Sequence, residues 1–179
     1  LDALPLYNVE LLEQPLSKGN VKLLSDVYKK SSIPIFVDED CMASNDVEAL
    51  AGKVHGINIK LMKSGSIIEA LNMINLAKSY NLKIMLGCMI ESSLGITAMA
   101  HLASLADYLD LDSHLLISND PFEGVKLENG RFNYNDCELA KEKIRTLFTV
   151  AINQGYETLL LGAMGSGAFH NPPKQISEL

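Results

Sequence analysis

The stretch INIKLMKSGSIIEALNMINLAKSYNLKIML, residues 57–86, contains a complete strand–helix–strand unit. Its two ends, residues 57–61 and 83–86, are short apolar runs of the kind that form buried strands. Between them, the apolar residues of 65–80 recur at helical spacing, and we predict that this helix begins at Ser64 or Gly65. The residues on its apolar face are Ile67, Ala70, Leu71, Ile74 and Ala77. Two strands joined by a helix in this way predict a parallel pair with a crossover connection.

The same unit recurs on both sides of this stretch. Apolar runs start at residues 9, 33, 57, 83 and 108, so successive starts differ by 24, 24, 26 and 25 residues. A second apolar segment of helical character, residues 93–106, consists mostly of small side chains that pack closely on a sheet. This alternation predicts an α/β fold with a mostly parallel sheet. The 179 residues are fewer than the roughly 250 of a complete (β/α)8 barrel.

The regular alternation ends after residue 112. Residues 113–136 carry several turn signals, and Asn129-Gly130 among them predicts a β-hairpin. A charged amphipathic helix over 137–154 and a strand over 158–161 follow, and the strand leads into the glycine-rich loop GAMGSGAFHNPP. The helix and strand are expected to cover or extend the open edge of the sheet, which otherwise invites pairing of two chains into a homo-dimer.

Composition and charge exclude several classes of partner. With 15 Lys and Arg against 22 Asp and Glu the net charge is −7, which argues against nucleic acid. No apolar run approaches the roughly 18 residues of a membrane span. The three cysteines form no CxxC pair, which is typical of a reduced, cytoplasmic protein. Because the chain begins with Leu1, we expect it to be a piece of a longer protein.

Charged side chains lie at or near the end of each predicted strand. They are Glu13, Asp38, Glu39, Lys60, Glu91, Asp110 and Asp112. The carboxyl ends of parallel strands form the ligand-binding edge of α/β folds, so this set predicts a site there, with carboxylates for a cation and a lysine as a base. The alternative is that they are solvated loop charges. Lys63, three residues beyond Lys60, is expected to face solvent.

Five segments in this order resemble the enolase superfamily, and within it the dipeptide epimerases of the L-Ala-D/L-Glu type. They are ELLEQPL at 10–16, PIFVDED at 34–40, INIKLMKSGSI at 57–67, LGCMIESSLGITAMAHLA at 86–103 and DLD at 110–112. The resemblance covers about residues 1–132 and corresponds to barrel strands four to eight. It implies Mg²⁺-dependent removal of a proton next to a carboxylate, with a bound cation stabilising the ene-diolate.

The resemblance also implies a role for individual residues. Glu13 and Asp38 match two of the three Mg²⁺ ligands, and Lys60 matches an acid/base lysine. The remaining matches are Asp110 and Asp112, which hold the α-ammonium group of the dipeptide, and Met89, Ile90 and Glu91, which line the pocket.

The chain departs from this family at several points. The family's other lysine and its third metal ligand fall upstream of Leu1, Asp40 stands where Ser is usual, and Ser66 stands where Gly is usual. Two carboxylates make a weak Mg²⁺ site, and one lysine serves one face of the substrate. The resemblance therefore predicts a remnant of a dipeptide epimerase that is inactive as an isolated chain, with weak or absent Mg²⁺ binding.

Residues 138–179 resemble a different family, the macrodomain-like proteins related to poly(ADP-ribose) glycohydrolases, through the loop GAMGSGAFHNPP. Glycines let backbone N–H groups approach a phosphate, and the resemblance implies that the loop binds ADP-ribose. The residues in contact would be Gly165, Ser166, Gly167, Ala168 and Phe169. The alternative is a glycine-rich turn without a ligand.

Together the two resemblances predict a partial enolase-type barrel over 1–135 and a macrodomain-like helix–strand–loop over 136–179. An engineered chimera is the simplest account, and a natural fusion is the alternative. Three functions stay open: the epimerase remnant, an ADP-ribose or phosphate-binding module, and a chimera without activity.

Overall fold

The computed structural model describes residues 4–133, and within them a five-stranded parallel sheet forms the centre of the fold. The spatial order of the strands follows the chain, as in an arc of a barrel, and every neighbouring pair is parallel. The strands are β1 (Leu12–Glu13), β2 (Ile35–Val37), β3 (Gly56–Lys60), β4 (Lys83–Gly87) and β5 (Tyr108–Leu109). All five lie in or next to the apolar runs of the sequence, so the prediction of a parallel α/β sheet is confirmed.

The α-helices lie between the strands. They are α1 (Val21–Lys30), α2 (Ser44–Leu50), α3 (Leu61–Ser64), α4 (Ile67–Ser79) and α5 (Ser93–Ala100), with short 3₁₀ turns at Leu4–Tyr7, Ala103–Leu105 and Ser113–Leu116. The helix predicted from the central stretch is α4, and it begins later than expected. Ser66 caps it, because its hydroxyl accepts a hydrogen bond from the backbone N–H of Glu69 at 3.0 Å. Gly65 instead ends α3 in the left-handed conformation, with φ of 80°.

The core lies between the sheet and these helices. Strands β2, β3 and β4 are buried along nearly their whole length, as expected of parallel strands covered by helices. Their apolar side chains pack with the inner faces of α2, α4 and α5. The predicted inner face of α4 is confirmed at Ala70, Ile74 and Ala77, which are fully buried.

The predicted hairpin is also confirmed. Strands β6 (Lys126–Glu128) and β7 (Arg131–Asn133) pair antiparallel. Asn129 and Gly130 between them have φ of 51° and 71°, the pair of positive values that a tight two-residue turn requires.

The remaining predictions fall outside the described residues. These are the helix over 137–154, the strand over 158–161, the domain boundary at 135, and the phosphate-binding loop of Gly165, Ser166, Gly167, Ala168 and Phe169. They stay predictions. None of the helices within residues 4–133 has both the length and the apolar character needed to cross a membrane.

Candidate active site

The predicted site residues lie at one edge of the sheet, where the parallel strands end. Glu13 is the last residue of β1, Asp38 directly follows β2, and Lys60 is the last residue of β3. Asp110 directly follows β5, and the loop containing Met89 follows β4. The topology thus brings chemistry-bearing side chains from five successive strands to a common edge.

The ends of β1, β2 and β3 form the first half of this edge, and Asp38 lies at its centre. Its Oδ2 atom accepts a hydrogen bond from Nζ of Lys60 at 2.7 Å, and its Oδ1 atom accepts one from Nζ of Lys63. The side chains of the three residues are 10–13% exposed, so the ion pairs are largely shielded from solvent. A carboxylate with two lysine partners forms a compact charge cluster at the ends of β2 and β3.

The expectation that Lys63 faces solvent is wrong. Its ammonium group points inward, where the backbone carbonyl oxygens of Asp38, at 2.7 Å, and Asn58, at 3.4 Å, also accept from it. The reason is α3, a single helical turn that directly follows Lys60 and ends at Gly65. This turn carries the side chain of Lys63 back toward Asp38, whereas an extended chain would have carried it away.

The charges of the cluster stabilise one another. Burial raises the pKa of the Asp38 carboxyl, but the hydrogen bonds and positive charges of Lys60 and Lys63 outweigh burial and hold that pKa below its usual value. Burial lowers the pKa of Lys60, but the hydrogen bond to Asp38 and the negative charges of Asp38, Glu13 and Glu39 outweigh it and raise that pKa. Both groups therefore stay ionised around neutral pH as long as they face each other.

Two amide side chains that were not predicted from the sequence bind this part of the edge, one at the carboxylate of Glu13 and the other at the backbone of Asp38. Asn58, fully buried in β3, donates from Nδ2 to Oε1 of Glu13 at 2.6 Å. Gln14 accepts at Oε1 from the backbone N–H of Asp38 at 2.9 Å. A polar residue between two isoleucines in an apolar run was a signal for Asn58, whereas nothing local pointed to the role of Gln14.

Asp40, which stands where Ser is usual in the resembling family, belongs to the same network. Its Oδ2 accepts from Nε2 of Gln14 at 2.8 Å, and its Oδ1 accepts from the backbone N–H of Gly19 at 2.7 Å. Asp40 therefore ties the loop after β2 to the loop after β1. The carboxylate of Asp40 thus stabilises the two loops that begin directly after Glu13 and at Asp38.

The second half of the edge, formed by the ends of β4 and β5, is more open. Met89 and Ile90 are 46% and 72% exposed, and Asp110 and Asp112 are exposed as well. Cys88 donates from Sγ to the backbone carbonyl of Asp110 at 3.1 Å, which joins the two strand ends. The side chains of this half are therefore accessible from solvent.

Glu91 is the half-buried group of this second half. Its carboxylate lies against Gly95 in the first turn of α5, where any side chain would collide with it. Burial raises the pKa of Glu91, and a backbone hydrogen bond from Met89 opposes that rise in part.

At this edge, Glu13 and Asp38 are the residues that could bind a metal ion. Carboxylate oxygens are the ligands that Mg²⁺ prefers, so the donor type fits. Within residues 4–133, no group of three or more His, Cys, Asp or Glu side chains is placed to hold a metal ion. Two carboxylates supply part of an octahedral shell, and a cation at Oδ2 of Asp38 has to replace Lys60 there.

Comparison with known proteins places most of the chain in one family. The family model described as "Enolase C-terminal domain-like" matches residues 1–143. The match extends eight residues beyond the predicted boundary at 135, so residues 138–143 carry both this match and the macrodomain resemblance. The comparisons support the enolase half of the predicted chimera and give no support to the macrodomain half.

Curated relatives point in the same direction. The chain is 48% identical over 124 residues to a hydrophobic dipeptide epimerase of Roseobacter litoralis, covering 69% of this chain and 36% of that protein. It is 41% identical over 128 residues to an L-Ala-D/L-Glu epimerase of Bacteroides thetaiotaomicron, covering 72% and 33%. The chain thus spans about a third of the length of the curated relatives it matches.

Solved structures share the fold of the described residues. A dipeptide epimerase of Enterococcus faecalis in complex with Mg and the dipeptide L-Leu-L-Tyr matches with a TM-score of 0.70 and 35% identity, covering 75% of this chain and 40% of that one. A substrate-liganded L-Ala-D/L-Glu epimerase of Bacillus subtilis matches with a TM-score of 0.67 and 32% identity, covering 70% and 37%.

Proposed function

The chain belongs to the enolase C-terminal domain-like family, and from that premise we propose that it supplies one half of a dipeptide epimerase active site. The observation that carries the proposal is the cluster of Asp38 with Lys60, whose Oδ2 and Nζ atoms lie 2.7 Å apart at the carboxyl ends of β2 and β3. An acid/base lysine next to a metal-binding carboxylate is the arrangement that proton removal next to a carboxylate requires.

In this proposal Glu13 and Asp38 would hold Mg²⁺, and the bound ion would supply stabilisation of negative charge on the substrate carboxylate. Lys60 takes and returns that proton at Nζ on one face of the α-carbon. It can act as a base only after it has lost a proton, and the pairing with Asp38 keeps it protonated. Withdrawal of the Asp38 carboxylate from Lys60 is therefore part of reaching the reactive state.

The open half of the edge binds the dipeptide. Asp110 and Asp112 are exposed carboxylates at the end of β5, and they suit the α-ammonium group of a peptide. Met89 and Ile90 offer apolar surface to its side chains, and Glu91 borders the same loop. A small dipeptide is therefore the partner we propose.

Exchange without net epimerisation is the activity expected of this half-site. Lys63 already donates to Asp38 and to two backbone carbonyls, so within the described part of the chain Lys60 is the acid/base candidate. A single lysine removes and returns the proton on the same face, which exchanges that proton with solvent and retains the configuration.

The test is exchange of the α-proton of L-Ala-L-Glu with deuterium, followed by ¹H NMR in D₂O with MgCl₂. We expect slow exchange that Lys60→Met and Glu13→Gln each abolish. Lys78→Met, which changes an exposed lysine near the end of α4, serves as the matched control and should exchange like the unmodified chain. Exchange that persists in Lys60→Met, or no exchange in the unmodified chain, would contradict the proposal.

A further inference from the structure

Asn58 is an unusual residue for the middle of a buried parallel strand. It is fully buried in β3 between Ile57 and Ile59, yet it carries an amide. Its Nδ2 atom donates to Oε1 of Glu13 at 2.6 Å, while its Oδ1 atom is buried without a hydrogen-bond partner. Because an unpaired buried carbonyl is costly, the bond to Glu13 has to offset that cost.

The orientation of this amide is determined chemically. An ionised carboxylate accepts hydrogen bonds and donates none, so the NH₂ end of Asn58 must face Glu13 and the carbonyl end must face away. A hydrogen bond to a charged acceptor at 2.6 Å is short and strong. One oxygen of Glu13 is thereby fixed by β3, although Glu13 belongs to β1 and β2 lies between the two strands.

Gly87 in β4 supplies the space that this amide needs. A Cβ atom at this position would lie 2.5 Å from Oδ1, 2.7 Å from Nδ2 and 3.0 Å from Cγ of Asn58, and these are its three nearest neighbours. Any side chain at residue 87 would therefore displace the amide of Asn58 before it met another group. The amide is held between Glu13 on one side and Gly87 on the other.

We propose that Asn58 is a positioning residue that holds Glu13 in the orientation in which it binds the divalent cation, and that Gly87 is required because it leaves room for this amide. The inference rests on the proposed function, since it takes Glu13 as a metal ligand. Asn58 acts through Glu13: its donor occupies Oε1, and the carboxylate cannot rotate away from the site without losing that bond.

A merely structural link between β1 and β3 is the competing explanation, and the two differ in what they change. Loss of a structural link lowers the thermal midpoint and leaves the intrinsic affinity for metal unchanged. Loss of a positioning contact weakens metal binding even where the fold is as stable as before. Asn58→Leu separates them, because leucine has a similar volume and removes the unpaired carbonyl together with the donor.

The experiment is a calorimetric titration of the 179-residue chain with MgCl₂, with thermal midpoints measured in the absence of metal. We expect Asn58→Leu and Asn58→Ala to weaken binding at least tenfold, with an unchanged or higher midpoint for Asn58→Leu. Asn75→Ala, which changes an exposed asparagine of α4, is the control and should bind like the unmodified chain.

Gly87→Ala provides an independent variant, in which the new methyl group would meet the amide of Asn58 first. We expect it to weaken Mg²⁺ binding in the unmodified chain, because the new methyl group displaces the amide. In the Asn58→Ala background the same change should have no further effect, since the three atoms it would meet beyond Cβ of residue 58 are gone. Equal losses in both backgrounds would overturn the role of Gly87, and unchanged affinity in both Asn58 variants would overturn the role of Asn58.

Failure of the proposed function gives a different result. If the unmodified chain takes up no Mg²⁺ at millimolar concentration, the metal-binding proposal fails, and the side-chain amide signals of Asn58 in a ¹⁵N–¹H spectrum decide the positioning of Glu13. A shift of these signals on Glu13→Gln supports it. Signals that do not respond to Glu13→Gln overturn it.

Discussion

The two halves of the strand-end edge differ in how firmly their side chains are held. At β1–β3, Asp38 and Lys60 are largely buried, and side chains from neighbouring segments hold each carboxylate. At β4–β5, the side chains of Ile90 and Asp110 are exposed to solvent. Groups that move protons and bind cations gain from fixed positions, whereas groups that receive a variable dipeptide side chain need space. We therefore expect the first half to determine the chemistry and the second to determine the choice of substrate.

The largest expected effect is the loss of Asp38. Asp38→Ala leaves two lysine ammonium groups side by side without their shared carboxylate, at 10–13% side-chain exposure. We expect a loss of about 3 kcal/mol in the free energy of unfolding, measured by urea denaturation. Asp112→Ala, which changes an exposed carboxylate of the open half, should stay within about 0.5 kcal/mol. Similar losses for the two variants would remove the distinction between the halves.

The pH dependence of stability sharpens the comparison, because the two halves respond with opposite sign. The pKa of Asp38 is lowered below 3.8, so its contribution is present above that value and is lost as the pH falls through the lowered pKa. The pKa of Glu91 is raised above 4.5, chiefly by burial. Ionisation of Glu91 therefore costs stability as the pH rises from 4.5 through the raised pKa.

Glu91→Gln tests this directly. We expect the variant to be more stable than the unmodified chain at pH 7 and to lose that advantage near pH 4, as read from urea midpoints at a series of pH values. Glu123→Gln, at an exposed position, should show the same profile as the unmodified chain. An advantage that does not change with pH would show that the substitution acts through packing.

The smallest expected effect is a difference in the reactivity of two thiols, one in each half of the edge. Cys41, in the loop after β2, is fully buried. Burial, and to a smaller extent the negative charge of Asp46, raises the pKa of its thiol to about 12. Cys88, in the open half, is partly exposed. Iodoacetamide at pH 8 should therefore label Cys88 well before Cys41, as peptide mass spectrometry would report. Faster labelling of Cys41 would mean that the segment around Cys41 opens to solvent.

The local pattern of the sequence was sufficient for the strands, the hairpin and the longest helix of the described residues, and it left the single turn α3 unpredicted. Strand spacing, helical periodicity and the Asn129-Gly130 turn predicted β1 to β5, α4 and the hairpin, because each of these depends on neighbouring residues. The start of α4 was missed, since Ser64, Gly65 and Ser66 are all plausible boundary residues and only the backbone geometry distinguishes them.

The sequence by itself also determined that Glu13, Asp38 and Lys60 lie at one edge of the sheet, because parallel strands of similar length end at the same edge and the residues at each strand end can be counted along the chain. Only the tertiary structure decided how these residues are held. Lys63 points inward through a single helical turn, and Asn58 reaches a carboxylate 45 positions away along the chain. The physical reason is that hydrogen-bond partners depend on the distance and direction between segments remote in sequence, which no local periodicity encodes.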